Sequence, residues 1–355
     1  MAIALPTSAD ELTPAWFSLV FRELGEDAEV ASVALERLGG RSSLVCRARL
    51  ARKDGRATVP PSVIVKLPVA RSPGRLGMVA SAYEREMRFY RELAPRLNLS
   101  VPAVYWSDID AETGDCVLVL EDFGGAPAAP DGLDAAPGRA LLVLSELAHL
   151  HAAWWESPEL PGYGFLRTHG DFIDRVDAAL PAALPLFLER LGPRLHPDER
   201  AVFEALPRGF RRAAEPLLSA PLTLVHHDVH LQNVLIGGDG EQTRVVFIDW
   251  QLVQRSAGVR DVSFFVGGSL AAGRSAREER DLLRYYWQQL RDAGVAGYTF
   301  ERLMEDYRRS VLCDFGRMVM TAGPGEVSEA MLAAVERQIT GRTGSARELD
   351  LLGLL

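Results

Sequence analysis

Cysteine is scarce in this chain: Cys46, Cys116 and Cys313 are the only three in 355 residues, and they lie far apart in no metal-type pair. An odd count without a framework excludes a disulfide scaffold and points to reduced core thiols in a cytosolic setting. A basic excess is also missing, since the formal net charge is -9. A duplex-binding surface needs the opposite balance, so nucleic acid is not an expected partner, although a few local donors suffice to hold a nucleotide. No stretch reaches the roughly 18 uninterrupted apolar residues of a membrane span. The first residues, MAIALPTSADELTP, have no basic start leading into an apolar run, so no secretory leader is expected. Internal repeats and long low-complexity tracts are lacking too. What is present is an ordinary mixture, 48% apolar and 25% charged, long enough for two compact domains or one large two-lobed unit. The expectation is a soluble, cytoplasmic protein with no membrane partner.

The chain changes character part-way along. Residues 28–38, 43–51, 62–67 and 116–120 are β-rich runs, punctuated by Gly39-Gly40 and Lys53-Asp54-Gly55. Residues 77–94 have helical spacing. Residues 124–138, rich in Gly, Pro and Ala, predict a linker or exposed loop. From Arg139 onward the pattern is mostly helical. Residues 139–155 are apolar almost all round, as in a helix buried mid-domain, and 276–293, 299–320, 326–341 and 345–354 also have helical spacing.

One β-rich island, residues 222–250, interrupts the helices. It reads LTLVHHDVHLQNVLIGGDGEQTRVVFIDW. An apolar run leads into His226, His227, Asp228, His230 and Asn233, and two short strands around Gly237-Gly238-Asp239-Gly240 predict a hairpin. Asn233 opens the first strand and Asp249 closes the second, so both belong at the open end, with Asp228 on the loop just before. A carboxylate at the end of Val245-Val246-Phe247-Ile248 is costly unless paired or metal-bound. Asn and Asp oxygens suit a hard cation such as magnesium, and Asp228 is placed to accept a proton from an attacking hydroxyl. A His/Asp metallohydrolase centre is the competing reading of the same cluster, but no distant His or Cys set completes it.

A second pair lies earlier. Lys66 ends the run Ser62-Val63-Ile64-Val65 and shares a face with Ile64. In the helix over 77–94, Val79, Tyr83, Tyr90 and Leu93 form an apolar stripe, and the position completing it is Glu86, while Glu84 falls on another face. A glutamate on a buried face needs a cationic partner, and Lys66 supplies one. Such a pair orients a lysine toward nucleotide phosphates.

These residues resemble the aminoglycoside phosphotransferase and choline kinase-like enzymes of the kinase superfamily. The family's loop typically reads His-Gly-Asp-x-x-x-x-Asn followed by Ile-Asp-Trp or Ile-Asp-Phe; here it is His226-His227-Asp228-Val229-His230-Leu231-Gln232-Asn233, then Ile248-Asp249-Trp250, with His227 replacing the usual glycine. Gly258 and Asp261 look like the family's following Gly and Asp. Leu147-Ala148-x-Leu150-His151-Ala152 looks like its central helix. Glu86-x-x-Phe89-Tyr90 and Asp249-Trp250-Gln251 look more like the ecdysteroid kinase-like (CHK) branch. The loop Leu38-Gly39-Gly40-Arg41-Ser42-Ser43 departs from Gly-x-Gly-x-x-Gly, leaving its backbone with Ser42 and Ser43 as the candidates to cover phosphates.

The resemblance implies an α+β, two-lobed protein-kinase-like fold. Residues 1–122 would form a small β-rich nucleotide-binding lobe, and 123–355 a larger, mostly helical lobe carrying the catalytic loop, metal site and acceptor region. The implied activity is ATP-dependent transfer of the γ-phosphate to a hydroxyl of a small molecule, with ATP and Mg2+ as cofactors. Asp228 would be the catalytic base or hydroxyl-orienting group, and Asn233 and Asp249 the magnesium ligands. Lys66, held by Glu86, would contact the α- and β-phosphates. The strand Leu118–Phe123 would hold adenine through its backbone around Glu121 and Phe123. His226 and Asp261 would brace the loop, and His230 stands where protein kinases carry a lysine near the γ-phosphate. Acceptor-side candidates by location are Tyr285, Tyr286, Trp287, Asp306, Asp314 and Phe315. A catalytically inactive nucleotide-binding (pseudokinase) module is the alternative. A protein kinase is disfavoured: the hairpin ends on Ile-Asp-Trp rather than Asp-Phe-Gly, and no Ala-Pro-Glu or long activation segment follows.

Overall fold

The computed structural model describes residues 3–26, 29–39, 43–53, 59–68, 76–110, 113–124, 137–237, 244–270, 275–342 and 348–355. The chain divides into two compact units, Met1–Arg96 with Ser100–Gly125, and Leu97–Leu99 with Ala126–Leu355.

The first unit is built on five antiparallel strands: β1 (Val30–Gly39), β2 (Ser43–Arg52), β3 (Ser62–Pro68), β4 (Val104–Ile109) and β5 (Cys116–Glu121). Their order is β1-β2-β3-β5-β4. One face is covered by α1 (Pro14–Glu23), a helix the sequence reading did not single out. Its start is well specified: Thr13 accepts the Trp16 N–H, and Pro14 stands in the first turn, where no N–H is needed. Trp16, Phe17, Val20 and Phe21 pack on Val63, Val65, Val117 and Val119, each buried side chain contributing about 1.5–3 kcal/mol. The helix expected over 77–94 is α2 (Leu76–Arg88), continued by a wide π turn over Phe89–Leu93 and a tighter turn over Ala94–Arg96.

Helices dominate the second unit: α3 (Pro137–Ala153), α4 (His169–Leu191), α5 (Pro197–Ala214), α6 (Val259–Ser269), α7 (Ala276–Asp292), α8 (Phe300–Ala322) and α9 (Glu329–Thr340). The helices α4 and α5 carry Pro181, Pro185 and Pro207 internally, each costing about 3 kcal/mol in isolation. Packing offsets this: Phe187 of α4 meets Phe203 of α5, which meets Phe315 of α8, at centroid distances of 4.5 and 4.8 Å. Of the helix expected over 345–354, residues 345–347 lie outside the described residues; Glu348 is helical, and beyond it the chain turns and closes on the short turn Leu352–Leu354.

Two small sheets interrupt the helices. One is β6 (Arg167–Thr168), β10 (Gln254–Ala257) and β7 (Leu222–Val225), in that order, and the other is the hairpin of β8 (Val234–Gly237) and β9 (Arg244–Phe247). A buried ionic network anchors α6 to α8: Asp314 receives Arg260 at 3.1 Å, Arg342 at 2.8 Å and the Ser263 hydroxyl at 2.8 Å. That anchoring matters because α6 carries Asp261.

Candidate active site

In the first unit Lys66 is not an edge residue. It lies on the inner strand β3, opposite Val45 of β2 and Leu118 of β5. Its Nζ is 2.8 Å from Glu86 Oε2, with the two side chains 6% and 1% exposed. The helical stripe that predicted Glu86 as the buried glutamate is realised: Tyr83, Glu86, Tyr90 and Leu93 are buried and Glu84 is exposed. Ser43 is buried at the start of β2, its hydroxyl hydrogen-bonded to the Tyr83 phenol. Ser42 lies outside the described residues. Glu121 ends β5, where its carboxylate accepts the Ala103 N–H at 3.2 Å, and Phe123, just beyond, is half-buried.

In the second unit β7 delivers the chain into His226-His227-Asp228. Asp261, in the first turn of α6, accepts the His226 N–H on one oxygen at 2.8 Å and the His227 N–H on the other at 2.7 Å. His151 of α3 lies 3.3 Å from the same carboxylate and 2.7 Å from the Tyr286 hydroxyl. The close approach explains Gly258, where a Cβ would stand 2.8 Å from His151 Nδ1. His226 Nδ1 accepts the Asp228 N–H, so its Nε2 carries the proton donated to the Ile248 carbonyl at 2.9 Å. Burial lowers its pKa and favours this neutral form, against the opposing charge of Asp261. His226 therefore ties the loop to the hairpin.

His227 has φ +67°, a left-handed backbone that explains why glycine is usual at this place and that costs another residue about 1–2 kcal/mol. The strain is held by its surroundings: Asp261 on its N–H, Arg317 on its carbonyl at 2.7 Å, and Gln254 of β10 on its Nδ1 at 3.0 Å.

Asp228 and Asn233 come together in the loop, and the backbone brings Asp249 to the same hairpin end. The Asn233 amide nitrogen lies 3.0 Å from the Asp228 carbonyl, 3.3 Å from its carboxylate and 3.2 Å from His230 Nε2. Its donors are committed on that side, which leaves the amide oxygen turned away from Asp228. The Ile248 N–H donates to the Asn233 carbonyl at 3.0 Å, so Asp249 follows directly at the same hairpin end. Asp249 also adopts a left-handed backbone, φ +65°, which re-aims its side chain as β9 ends.

The sequence reading missed Arg317. From α8 it places Nη2 2.5 Å from Asp228 Oδ1, while Nη1 holds the His227 carbonyl and the guanidinium carbon sits over the Phe264 ring, 4.1 Å from its centre. Burial alone would raise the Asp228 carboxyl, but the Arg317 charge, with His230 beside it, holds it well below the usual carboxylate range. No local pattern singled Arg317 out: it is only partly buried on α8, and its partner Asp228 lies far away along the chain.

Other candidates find structural duties. Tyr286 and Phe315 are core side chains, Asp306 pairs with Arg302 and Tyr298, and Asp314 belongs to the Arg260–Arg342 network. Asp-Phe-Gly does occur twice, at 122–124 and 314–316, but neither aspartate is at the hairpin: Asp122 pairs with Arg47 and Asp314 with Arg260 and Arg342. The three loop histidines do not converge either. His226 bonds backbone on both nitrogens, His227 bonds Gln254 and His230 bonds Asn233. Among the described residues no group of three His, Cys, Asp or Glu side chains is disposed around a metal. Two hard oxygens at the hairpin end nonetheless fit a magnesium ion that takes its remaining ligands from phosphates and water.

The family model of the phosphotransferase enzyme family (APH) matches residues 20–293. The chain belongs to that family. No curated protein sequence matches this member significantly. Solved structures resemble it in fold. An aminoglycoside phosphotransferase, APH(2")-IIia in complex with GDP and kanamycin, superposes with TM-score 0.56 at 13% identity, covering 94% of this chain and 98% of its own. The choline kinase of Streptococcus pneumoniae gives TM-score 0.53 at 16% identity, covering 94% and 99%. The ethanolamine kinase of Plasmodium vivax gives TM-score 0.52 at 13% identity, covering 89% and 83%. This phosphotransferase family member therefore has the mixed α+β kinase-like fold.

Proposed function

We propose that this phosphotransferase moves the γ-phosphate of ATP to a hydroxyl of a small molecule. The single observation that carries the proposal is the Asp228 carboxylate, held by Arg317 and Asn233 beside the hairpin end that bears Asp249. The structural relatives named as choline and ethanolamine kinases, and the one bound to kanamycin, support a small-molecule acceptor. In this reading residues 1–122 serve the nucleotide and 123–355 serve transfer and the acceptor. Lys66, fixed by Glu86, holds the α- and β-phosphates, and the backbone around Glu121 and Phe123 holds adenine. Asn233, through its amide oxygen, and Asp249 hold magnesium, which when bound neutralises charge on the phosphates.

Asp228 then receives the acceptor hydroxyl. Its depressed pKa makes it a weak base, which suits phosphoryl transfer: the transition state is loose, so the proton leaves late and orientation counts for more than basicity. Arg317 keeps the carboxylate ionised and aimed. His230, 3.7 Å from Asp228, stands where it can meet the γ-phosphate.

The test is an ATP-consumption screen against a library of hydroxylated metabolites, run in parallel with Asp228→Ala. The variant should lose phosphoryl transfer and keep ATP binding. Turnover retained in Asp228→Ala would overturn the role of this residue. ATP binding without turnover on any acceptor would favour the inactive nucleotide-binding module.

A further inference from the structure

Three arginines of the second unit stand on three elements that border the catalytic loop. Arg317 comes from α8 and contacts both His227 and Asp228. Arg167 lies on β6, where its register partner on β10 is Gln254, the residue bonded to the His227 ring. Arg175 lies on α4, one turn beyond Phe172, whose ring meets the His227 ring at 5.4 Å. Loop, strand and helix are thus joined by direct contacts, and Arg175 feels the charge of the other two. The pKa of Arg175 falls, first because water is displaced from its charged end and then because Arg167 and Arg317 repel it.

The local charge is unbalanced. Among the described residues neither Arg167 nor Arg175 forms an ion pair; Arg175 donates only to the Asp171 carbonyl, at 3.1 Å. One carboxylate, Asp171, acts on both arginines and offsets one of their two charges, while its hydrogen bonds go to the cap of α4, where it accepts the Thr168 N–H at 2.7 Å and its hydroxyl at 2.9 Å. Asp228 is taken by Arg317, and Arg260 is matched by Asp314. His169, at the start of α4, is buried and neutral, its pKa lowered to about 3 by burial and by Arg260. Like charges gathered in partly desolvated surroundings are unfavourable unless an anion joins them, and arginine forks match carboxylates and phosphates two bonds at a time. A cationic acceptor would meet repulsion here.

We propose that the acceptor of this phosphotransferase is a hydroxyl compound bearing an anionic group, a carboxylate or a phosphate ester, which Arg167 and Arg175 bind so that its hydroxyl reaches Asp228. This rests on the proposed phosphotransferase reading and names its substrate class.

The test uses the full chain saturated with ADP and magnesium, so that the nucleotide site is filled. Glycerate, glycerol 3-phosphate, choline and kanamycin are titrated separately, with the thermal midpoint and calorimetric binding as readouts. Glycerate or glycerol 3-phosphate should raise the midpoint, and the two together tell carboxylate from phosphate recognition. Arg167→Gln, at a half-buried position, and Arg175→Gln, at an exposed one, should each weaken that binding by roughly tenfold or more, as loss of a charge-assisted hydrogen bond implies, while ADP affinity holds. Charge reversal in Arg175→Glu should abolish it. Binding of choline or kanamycin in place of the anions would overturn the proposal. So would anion binding indifferent to the variants, or variants that weaken ADP instead, which would make these arginines nucleotide ligands. If ADP itself neither binds nor shifts the midpoint, the phosphotransferase reading fails first and this inference falls with it.

Discussion

Asp228 and Arg317 form a pair whose balance sets the acid limb of any activity. The carboxylate must be ionised to receive a hydroxyl proton, and its folded pKa is depressed, so it stays ionised as pH falls through the usual carboxylate range. Activity governed by this group should therefore not decline until pH drops below about 4, the ordinary aspartate value. In Arg317→Ala the upward effect of burial is opposed only by His230 and His226, and the acid limb should move upward; a pH profile of kcat/KM that does not move would remove Arg317 from this role. Lys66 makes a different demand. It is one of only two lysines among 39 basic residues, and the other, Lys53, is an exposed partner of Glu29. Lys66→Ala leaves Glu86 buried without its cation, so denaturant melts should register a loss of about 3–5 kcal/mol. Under the proposed function the same variant should raise KM for ATP, and unchanged kinetics would make the pair purely structural.

Helix and strand ends do much of the positioning. The first turn of α6 presents Asp261 to two successive loop N–H groups, and Gly258 just before it allows His151 to come close. Gly258→Ala must move His151 or Tyr286; stability should fall by about 1–3 kcal/mol, and kcat should fall with it because the loop loses its brace. A full-activity variant would show that the packing relaxes elsewhere. The start of α4 is held by a reciprocal cap between Thr168 and Asp171. Thr168→Ala should cost about 1 kcal/mol in a chemical melt. The prolines inside α4 and α5 explain why these helices were hard to read: local propensity argues against them, and tertiary packing such as the Phe187–Phe203–Phe315 contacts across α4, α5 and α8 offsets it.

Across the molecule, the three thiols are buried and unpaired with one another. Burial pushes Cys116 and Cys313 up to about 12 and raises Cys46 as well. Titration with a thiol reagent should therefore be slow in the native state and reach three equivalents on denaturation, and reductant should leave the melting temperature unchanged; fast native labelling would contradict this burial. The kinase-like fold class was readable in advance because its signals are local: alternation in the strands, the stripe on α2, and the spacing from Asp228 through Asn233 to Asp249 across a hairpin. The Lys66–Glu86 contact followed from the same logic, since a buried charge demands a partner and the first helix after the strand supplied it. Arg317, Gln254 and the arginines of β6 and α4 carry no such signal in any short window. Arg317 and Gln254 reach the loop, and the other two stand near it, across long separations in sequence, and a single chain without its fold cannot say which distant guanidinium will arrive. Backbone periodicity is a property of neighbours along the chain, whereas the charge surrounding Asp228 is set by which elements pack together.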